Sequence, residues 1–357
     1  MFDFIVIGGG IAGISAGARL SHLGRVLVLE AENALAYHAS GRSAAMFEQN
    51  YGAPRVIELN RASYDYHATE NGGVLSPRGL MLIGGIGQEE VLAQDLEAMN
   101  LPRITTEEAL DLVPILNPGS MVGVGYHPDA WDIDTDRLLM NFAREIRANG
   151  EIRTGASVTA ITRTPSGWQV QVGEDSFEAK SLVNAAGPWA DEIAKLAGVP
   201  LIGLQPYRRS MARIPAPGDH DVSSWPMFMG AAESWYAKPD AGALIVSPEE
   251  EDPVPPQDAW AEDMVLAEGL ARYEDHVTEP VTRMLANWAG LRTFAPDRNL
   301  VLGRAPQDED FIWCAGQGGY GFQTSPAASQ LLADVVAGRP SVLGAAAEAD
   351  VSPARFF

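Results

Sequence analysis

The sequence has a single cysteine, Cys314, among its 357 residues. One cysteine excludes an intramolecular disulfide, which is typical of a protein in a reducing compartment. Basic residues are scarce, with 25 lysines and arginines against 47 aspartates and glutamates, and the formal net charge is −22. Because an acidic chain repels phosphate backbones, we expect no nucleic acid partner. The charge indicates a solvated acidic surface, and steering of a cationic substrate is the alternative.

Long apolar runs are also missing. No segment approaches the roughly 20 consecutive apolar residues that a transmembrane helix needs. The first residues, MFDFIVIGGG, have no basic stretch before the apolar run and do not resemble a signal peptide. We therefore expect a soluble, cytoplasmic protein, with peripheral docking on the inner membrane as an alternative. We expect no metal site.

Apolar residues make up 46% of the chain and charged residues 20%, which is enough for a sizeable core. Residues 3–7 form an apolar run, residues 11–20 have helical periodicity, and residues 25–30 form a second apolar run. This order predicts a β-α-β unit and therefore a parallel sheet. Further strands are predicted at 157–162, 168–172, 181–184 and 311–315, and further helices at 138–148, 188–196 and 324–337. The acidic, proline-rich stretch 249–258 is predicted to be an exposed loop.

The glycines between the first strand and helix follow the pattern G-x-G-x-x-G. Gly8 allows the tight turn, Gly10 lets the backbone approach a pyrophosphate, and Gly13 lets the helix pack on the strand. The second strand ends at Glu30, which is placed to accept hydrogen bonds from an adenosine ribose. The helix amino terminus adds free N–H groups and a positive dipole. The unit therefore predicts dinucleotide binding.

Three more stretches of small residues follow: SGRSAA at 40–45, NAAG at 184–187 and GQGGYGFQT at 316–324. The first has room for backbone against a large flat cofactor, with one arginine for its pyrophosphate. The second leaves space at the end of a strand, where α/β sheets bind ligands. The third can stabilise negative charge on a reduced flavin ring through backbone N–H groups and a helix terminus. A surface turn, ordinary close packing and a flexible loop are the respective alternatives.

Together these motifs resemble the D-amino acid oxidase superfamily of FAD enzymes, in its glycine oxidase and sarcosine oxidase-like branch. Within that branch the chain is most similar to the bacterial FAD-dependent D-arginine dehydrogenases. The resemblance extends to about residue 338. The matching stretches are GRSAA at 41–45, DIDTD at 132–136, LVNAAG at 182–187, LQPYRRS at 204–210, YAKPDAG at 236–242, WAGLR at 288–292 and QGGYGFQTS at 317–325.

The resemblance implies an α/β fold with a Rossmann-type FAD-binding domain and a second, mixed-sheet substrate domain. We expect a discontinuous FAD domain of residues 1–45, 138–205 and 287–340. The substrate domain is expected at 46–137 and 206–286, followed by a C-terminal tail at 341–357. Cys314 does not match the position of covalent flavin attachment in sarcosine oxidases, so the FAD is expected to be non-covalent.

The activity that the resemblance implies is oxidation of an amine next to a carboxylate. Hydride passes from Cα of a D-amino acid to flavin N5, and the imine hydrolyses to a 2-oxo acid and ammonia. Oxidation of an N-methyl amino acid such as sarcosine is the alternative, and a non-catalytic flavin- or nucleotide-binding escort protein is a further one. The electron acceptor stays open among oxygen, a quinone and an electron carrier.

The resemblance also implies roles for individual residues. Arg209 and Arg292 resemble a clamp for the substrate carboxylate, because arginine makes paired charge-assisted hydrogen bonds. Tyr51 and Tyr236 resemble tyrosines that close over the amino acid, and the carbonyl of Gly319 resembles an acceptor for its amine. The expected cofactor contacts are Gly8, Gly10, Ile11, Ala12, Gly13, Glu30, Ala31, Ser40, Gly41, Arg42, Ser43, Ala44, Ala45, Val158, Ala186, Gly187, Trp189, Gly290, Arg292, Gly318, Gly319, Tyr320, Gly321, Phe322, Gln323 and Thr324.

The pocket for the substrate side chain departs from the arginine dehydrogenases. Met46 stands where those enzymes have a histidine, and Leu80 stands where they have an acid that pairs with guanidinium. Met227 and Met229 match positions of an apolar cage. We therefore predict that neutral or apolar D-amino acids are preferred to D-arginine and D-lysine. Glu48 is expected to be a solvated loop carboxylate, and an inward-facing Glu48 that restores a basic preference is the alternative.

Overall fold

The computed structural model describes all residues, 1–357, and contains 20 β-strands. In chain order the strands are β1 (Phe2–Ile7), β2 (Val26–Leu29), β3 (Met46–Phe47), β4 (Leu75–Pro77), β5 (Leu80–Gly85), β6 (Arg103–Ile104), β7 (Met121–His127), β8 (Trp131–Ile133), β9 (Gly150–Arg153), β10 (Val158–Thr164), β11 (Gly167–Val172), β12 (Asp175–Asn184), β13 (Gln205–Pro215), β14 (Met227–Gly230), β15 (Tyr236–Asp240), β16 (Ala243–Ser247), β17 (Asp252–Pro253), β18 (Ala286–Phe294), β19 (Val301–Ala305) and β20 (Asp308–Ala315).

The helices follow the same order. They are α1 (Ile11–Leu20), α2 (Pro54–Thr69), α3 (Glu89–Ala98), α4 (Thr106–Leu112), α5 (Thr135–Ala148), α6 (Ala190–Ala197), α7 (Asp263–Glu274), α8 (Gly321–Val336) and α9 (Gly344–Val351). The helices predicted at 11–20, 138–148, 188–196 and 324–337 correspond to α1, α5, α6 and α8, with ends that differ by a few residues. Helix α6 is preceded by a short 3₁₀ turn, Gly187–Trp189.

The first sheet has the order β10-β11-β12-β1-β2-β9, and β20 adds to β12 and β19 to β20. Strand β1 is parallel to both β2 and β12, which confirms the predicted β-α-β unit and parallel sheet. Strands β10 and β11 are antiparallel to their neighbours, so the sheet is mixed at that edge. The apolar faces of α1, α5 and α8 cover one side of it, with Ile14, Phe142 and Leu332 fully buried.

The second sheet has the order β17-β13-β16-β15-β14-β5-β7-β6, and β18 pairs with β13. Most of its pairs are antiparallel, and β14 with β5 is parallel. Its core contains Phe228, Trp235 and Tyr273. A small third sheet, β3-β8-β4, lies beside it. The α/β fold with a second mixed sheet is therefore as the sequence predicted.

Two segments lie differently from the division drawn on the sequence. The boundary at residue 287 falls within β18, and this strand pairs with β13 in the second sheet over its whole length. The segment 341–357 contains α9, and Ala347 and Val351 of this helix are buried in the same core as α1 and α8. The tail is thus a packed part of the first sheet's helical layer. No helix combines the length and the apolar character needed to cross a membrane.

Candidate active site

A cavity of about 600 Å³ runs from the glycine turn after β1, past residues 36–46, to the glycine-rich loop before α8. Strands of the second sheet form its other wall, through residues of β5, β13, β14, β15 and β18. The cavity therefore joins the predicted dinucleotide site to the predicted substrate pocket.

The turn between β1 and α1 depends on two glycines. Gly8 has φ +115°, and a Cβ there would overlap the carbonyl oxygen of Ala185, the residue that follows β12. A Cβ on Gly13 would overlap the carbonyl oxygen of Gly8. Both positions therefore require glycine for the conformation and packing that the sequence predicted.

Gly10 differs because no backbone atom of the protein approaches its Cβ position. A Cβ there would meet only Ser40 Oγ, at 3.1 Å, and Gly10 lines the cavity. The backbone N–H of Ile11, in the first turn of α1, donates to the same Ser40 Oγ at 3.0 Å. The amino terminus of α1 thus opens onto the cavity, which suits a pyrophosphate.

Glu30 lies at the end of β2 with its carboxylate fixed. Its Oε2 accepts from the N–H of Gly9 at 2.6 Å, and its Oε1 accepts from the N–H of Glu32 at 2.8 Å. Glu30 and Ala31 line the same cavity as Gly10 and the amino terminus of α1. This arrangement fits an adenosine ribose, so the residues present suit the dinucleotide part of FAD.

Most residues assigned to the cofactor line the cavity, and they come from the α1 turn, segment 40–45, Val158, the Ala186–Trp189 turn, β18 and the loop before α8. Gly13, Gly41, Tyr320 and Thr324 are not among the lining residues. Gly41 packs against the carbonyl of Ala36, and Thr324 Oγ1 donates to the carbonyl of Tyr320 at 2.9 Å. These residues shape the wall from behind.

Arg42 lines the cavity, but its guanidinium is already bound within the protein. It donates to the carbonyls of Ala259 and Ala289 at 2.9 and 3.0 Å and pairs with the Asp258 carboxylate. The expectation that this side chain serves a pyrophosphate therefore needs correcting. It ties the 40–45 segment to β18 and to the acidic loop.

Cys314 lies on β20, buried, and does not line the cavity. Burial raises the pKa of its thiol to about 12, so the reactive thiolate is disfavoured. An inert core cysteine fits these observations, and the chain has no other thiol for flavin attachment.

Arg292, on β18, offers the cavity an unoccupied guanidinium. No carboxylate pairs with it directly, and it lines the cavity. Its guanidinium lies against Gly319, where a Cβ would come within 3.0 Å of the arginine Cζ. The loop is held there because the N–H of Gly318 donates to the carbonyl of Thr293 at 2.9 Å. Burial alone would lower the pKa of Arg292, but the carboxylates of Glu249 and Glu233 raise it, so it is cationic.

Arg209, on β13, is paired instead. Its Nη1 donates to Oε1 of Glu249 at 2.8 Å, and the two side chains are only 3% and 2% exposed. Its Nη2 lies 3.7 Å from a carboxylate oxygen of Glu251. Both Arg209 and Glu249 line the cavity. The expected clamp of two free arginines is therefore asymmetric, with one free guanidinium and one neutralised.

The pairing also corrects the exposed loop predicted at 249–258. Glu249 lies two residues after the buried strand β16, has φ +55°, and is 8% exposed. Its pKa is raised to about 7 by burial, with Glu233 adding to the rise and Arg209 opposing it. The composition of the stretch does not distinguish this residue, and its one sequence signal is a carboxylate two residues after the apolar run ALIVS.

Tyr51 and Tyr236 both line the cavity near Arg292. Burial raises the pKa of the Tyr51 phenol well above its usual value, and burial raises that of Tyr236 to about 12. Both are therefore neutral hydrogen-bond donors. The hydroxyl of Tyr236 approaches Sδ of Met211 at 3.0 Å, and Met211, which the sequence gave no reason to select, also lines the cavity.

The predicted side-chain pocket is assembled from neighbouring strands. Leu80 on β5 is paired in register with Met227 on β14, and Met229 follows on the same strand. All three line the cavity with Met46. The sulfur-rich wall can adapt to different side-chain shapes.

Glu48 is not the solvated carboxylate that was expected. It is 4% exposed and lines the cavity. Its Oε1 accepts from the N–H of Asn50 at 2.9 Å, and its Oε2 lies 3.1 Å from Nε2 of His127. The N–H of Glu48 donates to Oε1 of Gln323 at 2.8 Å. Sequence reasoning missed His127, whose place opposite Leu80 on β7 depends on strand register.

Comparison with known proteins agrees with the fold and the cavity. The family model described as FAD dependent oxidoreductase (DAO) matches residues 3–335. The chain is 23% identical over 371 residues to an N-methyl-L-tryptophan oxidase of Salmonella enteritidis, covering 95% of this chain and 96% of that protein. It is 24% identical over 377 residues to the mitochondrial dimethylglycine dehydrogenase of Mus musculus, covering 95% of this chain but 43% of that longer protein.

Solved structures share the whole architecture at low identity. L-proline dehydrogenase from P. horikoshii superposes with a TM-score of 0.84 at 21% identity, covering 99% of this chain and 97% of that one. Glycine oxidase from Geobacillus kaustophilus superposes with a TM-score of 0.84 at 21% identity, covering 100% of this chain and 99% of that one. L-alpha-glycerophosphate oxidase from Mycoplasma pneumoniae, with FAD bound, gives 0.81 at 20%, covering 94% of each chain. With the family model matching nearly its full length, the chain belongs to the DAO family of FAD-dependent oxidoreductases, and its cofactor is FAD.

Proposed function

We propose that this protein oxidises a D-amino acid to a 2-oxo acid and ammonia, with hydride passing from Cα to flavin N5. Bound FAD supplies the hydride acceptor. The observation that carries the proposal is Arg292, a guanidinium without a protein counter-ion at the wall of the cavity. Such a group suits a substrate carboxylate, because a buried cation is stabilised strongly by an anionic partner.

The groups around Arg292 support an amino acid rather than a simple carboxylic acid. The neutral phenols of Tyr51 and Tyr236 can donate hydrogen bonds to the carboxylate. Gly319 lies against the arginine, and its carbonyl accepts no backbone hydrogen bond, so it can serve as an acceptor for an amine. The D configuration rests on the resemblance of the sequence motifs to D-amino acid enzymes.

The pocket wall supports neutral substrate side chains. Met46, Leu80, Met227 and Met229 present apolar surface, and an unpaired guanidinium among them would be costly. The Glu48 carboxylate lies on this wall, but it is already held by Asn50 and lies beside His127. It would have to give up those contacts to receive a cationic side chain.

Oxidation of an N-methyl amino acid is the second candidate. The Salmonella relative is named for an N-methyl amino acid, and the mouse relative for dimethylglycine. The same carboxylate site would serve such a substrate, with the reacting C–H bond on the N-methyl carbon instead of Cα.

The test is anaerobic bleaching of the FAD-loaded protein with a panel of D-amino acids, their L-enantiomers and sarcosine, followed by air. The proposal expects fast bleaching by a neutral D-amino acid such as D-methionine and the formation of its 2-oxo acid. Faster bleaching by sarcosine with release of formaldehyde would favour the second candidate. No bleaching by any amino acid would contradict both. Colour recovery in air separates oxygen from a quinone or an electron carrier as the acceptor.

A further inference from the structure

Glu249 is a buried carboxylate that the resemblance does not account for. Its Oε1 is bound by Arg209, whereas its Oε2 has no hydrogen-bond partner in the protein. The side chain is 2% exposed and lines the cavity. An unsatisfied oxygen on a buried carboxylate is unfavourable, so a donor from a ligand would stabilise it.

The backbone also indicates a constrained position. Glu249 has φ +55°, in the left-handed region that non-glycine residues rarely adopt. Its N–H donates to Ser247 Oγ at 3.2 Å, and the hydroxyl of Ser247 donates to the carbonyl of Ser210. The end of β16 is thereby fastened to β13 beside Arg209. Residues held in such conformations are concentrated at ligand-binding sites.

Glu249 shares its surroundings with the carboxylate site of the proposed function. Its charge acts on Arg292, Tyr51 and Tyr236, and Arg292 acts on it in return. In an amino acid the ammonium nitrogen and the carboxylate are attached to the same carbon. A carboxylate that lines the same cavity as the guanidinium can therefore meet the α-nitrogen, whereas the methionine wall is the place for the side chain.

We propose that Glu249 Oε2 accepts a hydrogen bond from the α-ammonium group of the substrate and then takes one proton from it. This inference rests on the proposed oxidation of an amino acid. An N–H bond of the ammonium breaks, an O–H bond forms on Glu249, and the electron pair stays on nitrogen. That pair is needed before Cα can give up hydride, because an ammonium nitrogen has none with which to form the C=N bond. The Gly319 carbonyl can accept a hydrogen bond but is not a base.

Several charged and titratable groups face Glu249. They are Arg209 on β13, Arg292 on β18, Tyr236 on β15, Glu233 on the turn after β14, and Glu250 and Glu251 on its own segment. Arg272 of α7 donates to the adjacent carbonyl of Pro248. Burial, opposed by Arg209 and reinforced by Glu233, raises the pKa of Glu249 to about 7, which suits a proton acceptor at neutral pH.

The binding test uses two probes that differ only in the amine: 2-aminoisobutyrate, which has no Cα–H bond to break, and 2-methylpropanoate. Affinity for the FAD-loaded protein is read from the flavin absorbance and from thermal protection. We expect Glu249→Gln to weaken 2-aminoisobutyrate by about tenfold and to change 2-methylpropanoate by less than about threefold. Glu251→Gln is the matched control, because it removes one carboxylate from the same segment without lining the cavity, and it should leave the ratio unchanged.

A measurement on the unmodified protein needs no variant. As the pH rises through about 7, Glu249 loses its proton. Binding of 2-aminoisobutyrate should then strengthen, and binding of 2-methylpropanoate should weaken or stay level. If both probes respond alike, or if the amine gives no advantage at pH 8, the inference is wrong. Substrate bleaching without this difference would leave the proposed function standing and reject Glu249 as the acceptor.

Discussion

Arg292→Met should lower activity and Arg209→Met should lower stability, although both changes remove an arginine from one cavity. Arg292 has no ion-pair partner in the protein, whereas Arg209 holds the buried carboxylate of Glu249 at 2.8 Å. Arg292→Met therefore leaves no protein charge unpaired. Arg209→Met leaves Glu249 buried without its cation, a loss that costs about 3–5 kcal/mol in comparable pairs.

The expected magnitudes follow from that difference. Arg292→Met should lower kcat/KM for the best amino acid by about 3–5 kcal/mol of transition-state binding, or on the order of 10²–10⁴-fold. Its thermal stability should stay close to that of the unmodified protein. Arg209→Met should lower the unfolding midpoint by about 5–10 °C. Arg209 lowers the pKa of Glu249, so that pKa rises above 7 in Arg209→Met and protonation of Glu249 limits the loss. The midpoint is therefore measured at pH 8 and at higher pH.

The assay pairs steady-state kinetics with thermal unfolding of the FAD-loaded proteins, followed by flavin fluorescence, and FAD content is the control for cofactor loss. The reasoning is refuted if Arg292→Met destabilises the protein as much as Arg209→Met does. It is also refuted if Arg292→Met lowers kcat/KM by less than about tenfold, or ~1.4 kcal/mol.

Three further predictions concern the cofactor turn, the pocket wall and the buried carboxylate. Gly10→Val should give a nearly colourless protein, because a branched side chain would occupy the cavity beside the α1 amino terminus, and a fully yellow, active variant would contradict the cofactor assignment. D-Methionine and D-leucine should exceed D-arginine and D-lysine in kcat/KM, and a tenfold D-arginine preference that disappears in Glu48→Gln would instead identify Glu48 as a compensating acid. The folded pKa of Glu249, about 7, lies above its ordinary 4.5, so the stability gained from its protonated form is complete below pH 4.5 and lost as the pH rises through 7. Between pH 5 and 8 the free energy of unfolding of the unmodified protein should fall by on the order of 3 kcal/mol more than that of Glu249→Gln. Equal decreases in the two proteins would contradict the buried pair.

The β-α-β unit was predictable because its signals are local. The glycines of the first turn, the periodicity of α1 and the acid at the end of β2 lie within thirty residues, and short-range geometry fixes their relation. The methionine wall was inferred from motif positions, and the pairing of Leu80 with Met227 agrees with it.

The partners of the charged residues were not predictable in the same way. Glu249 stands in an acidic, proline-rich stretch whose composition is typical of solvent-exposed loops. Its burial follows from β16 pairing with β13, a contact between residues 28–34 positions apart. His127 reaches Glu48 only because β7 is in register with β5. Local sequence carries neither strand register nor a left-handed φ at a glutamate.

The two large sheets draw their strands alternately along the chain. The parallel centre of the first sheet takes β1 and β2 from the first thirty residues, β12 from residues 175–184 and β20 from residues 308–315. During synthesis the apolar strand β1 therefore cannot pair with β12 until half of the chain has been made. The glycine-rich loop before α8, which lines the cavity, is made later still. Cofactor capture is consequently a late event in folding, and the nascent chain depends on protection of its early strands until then.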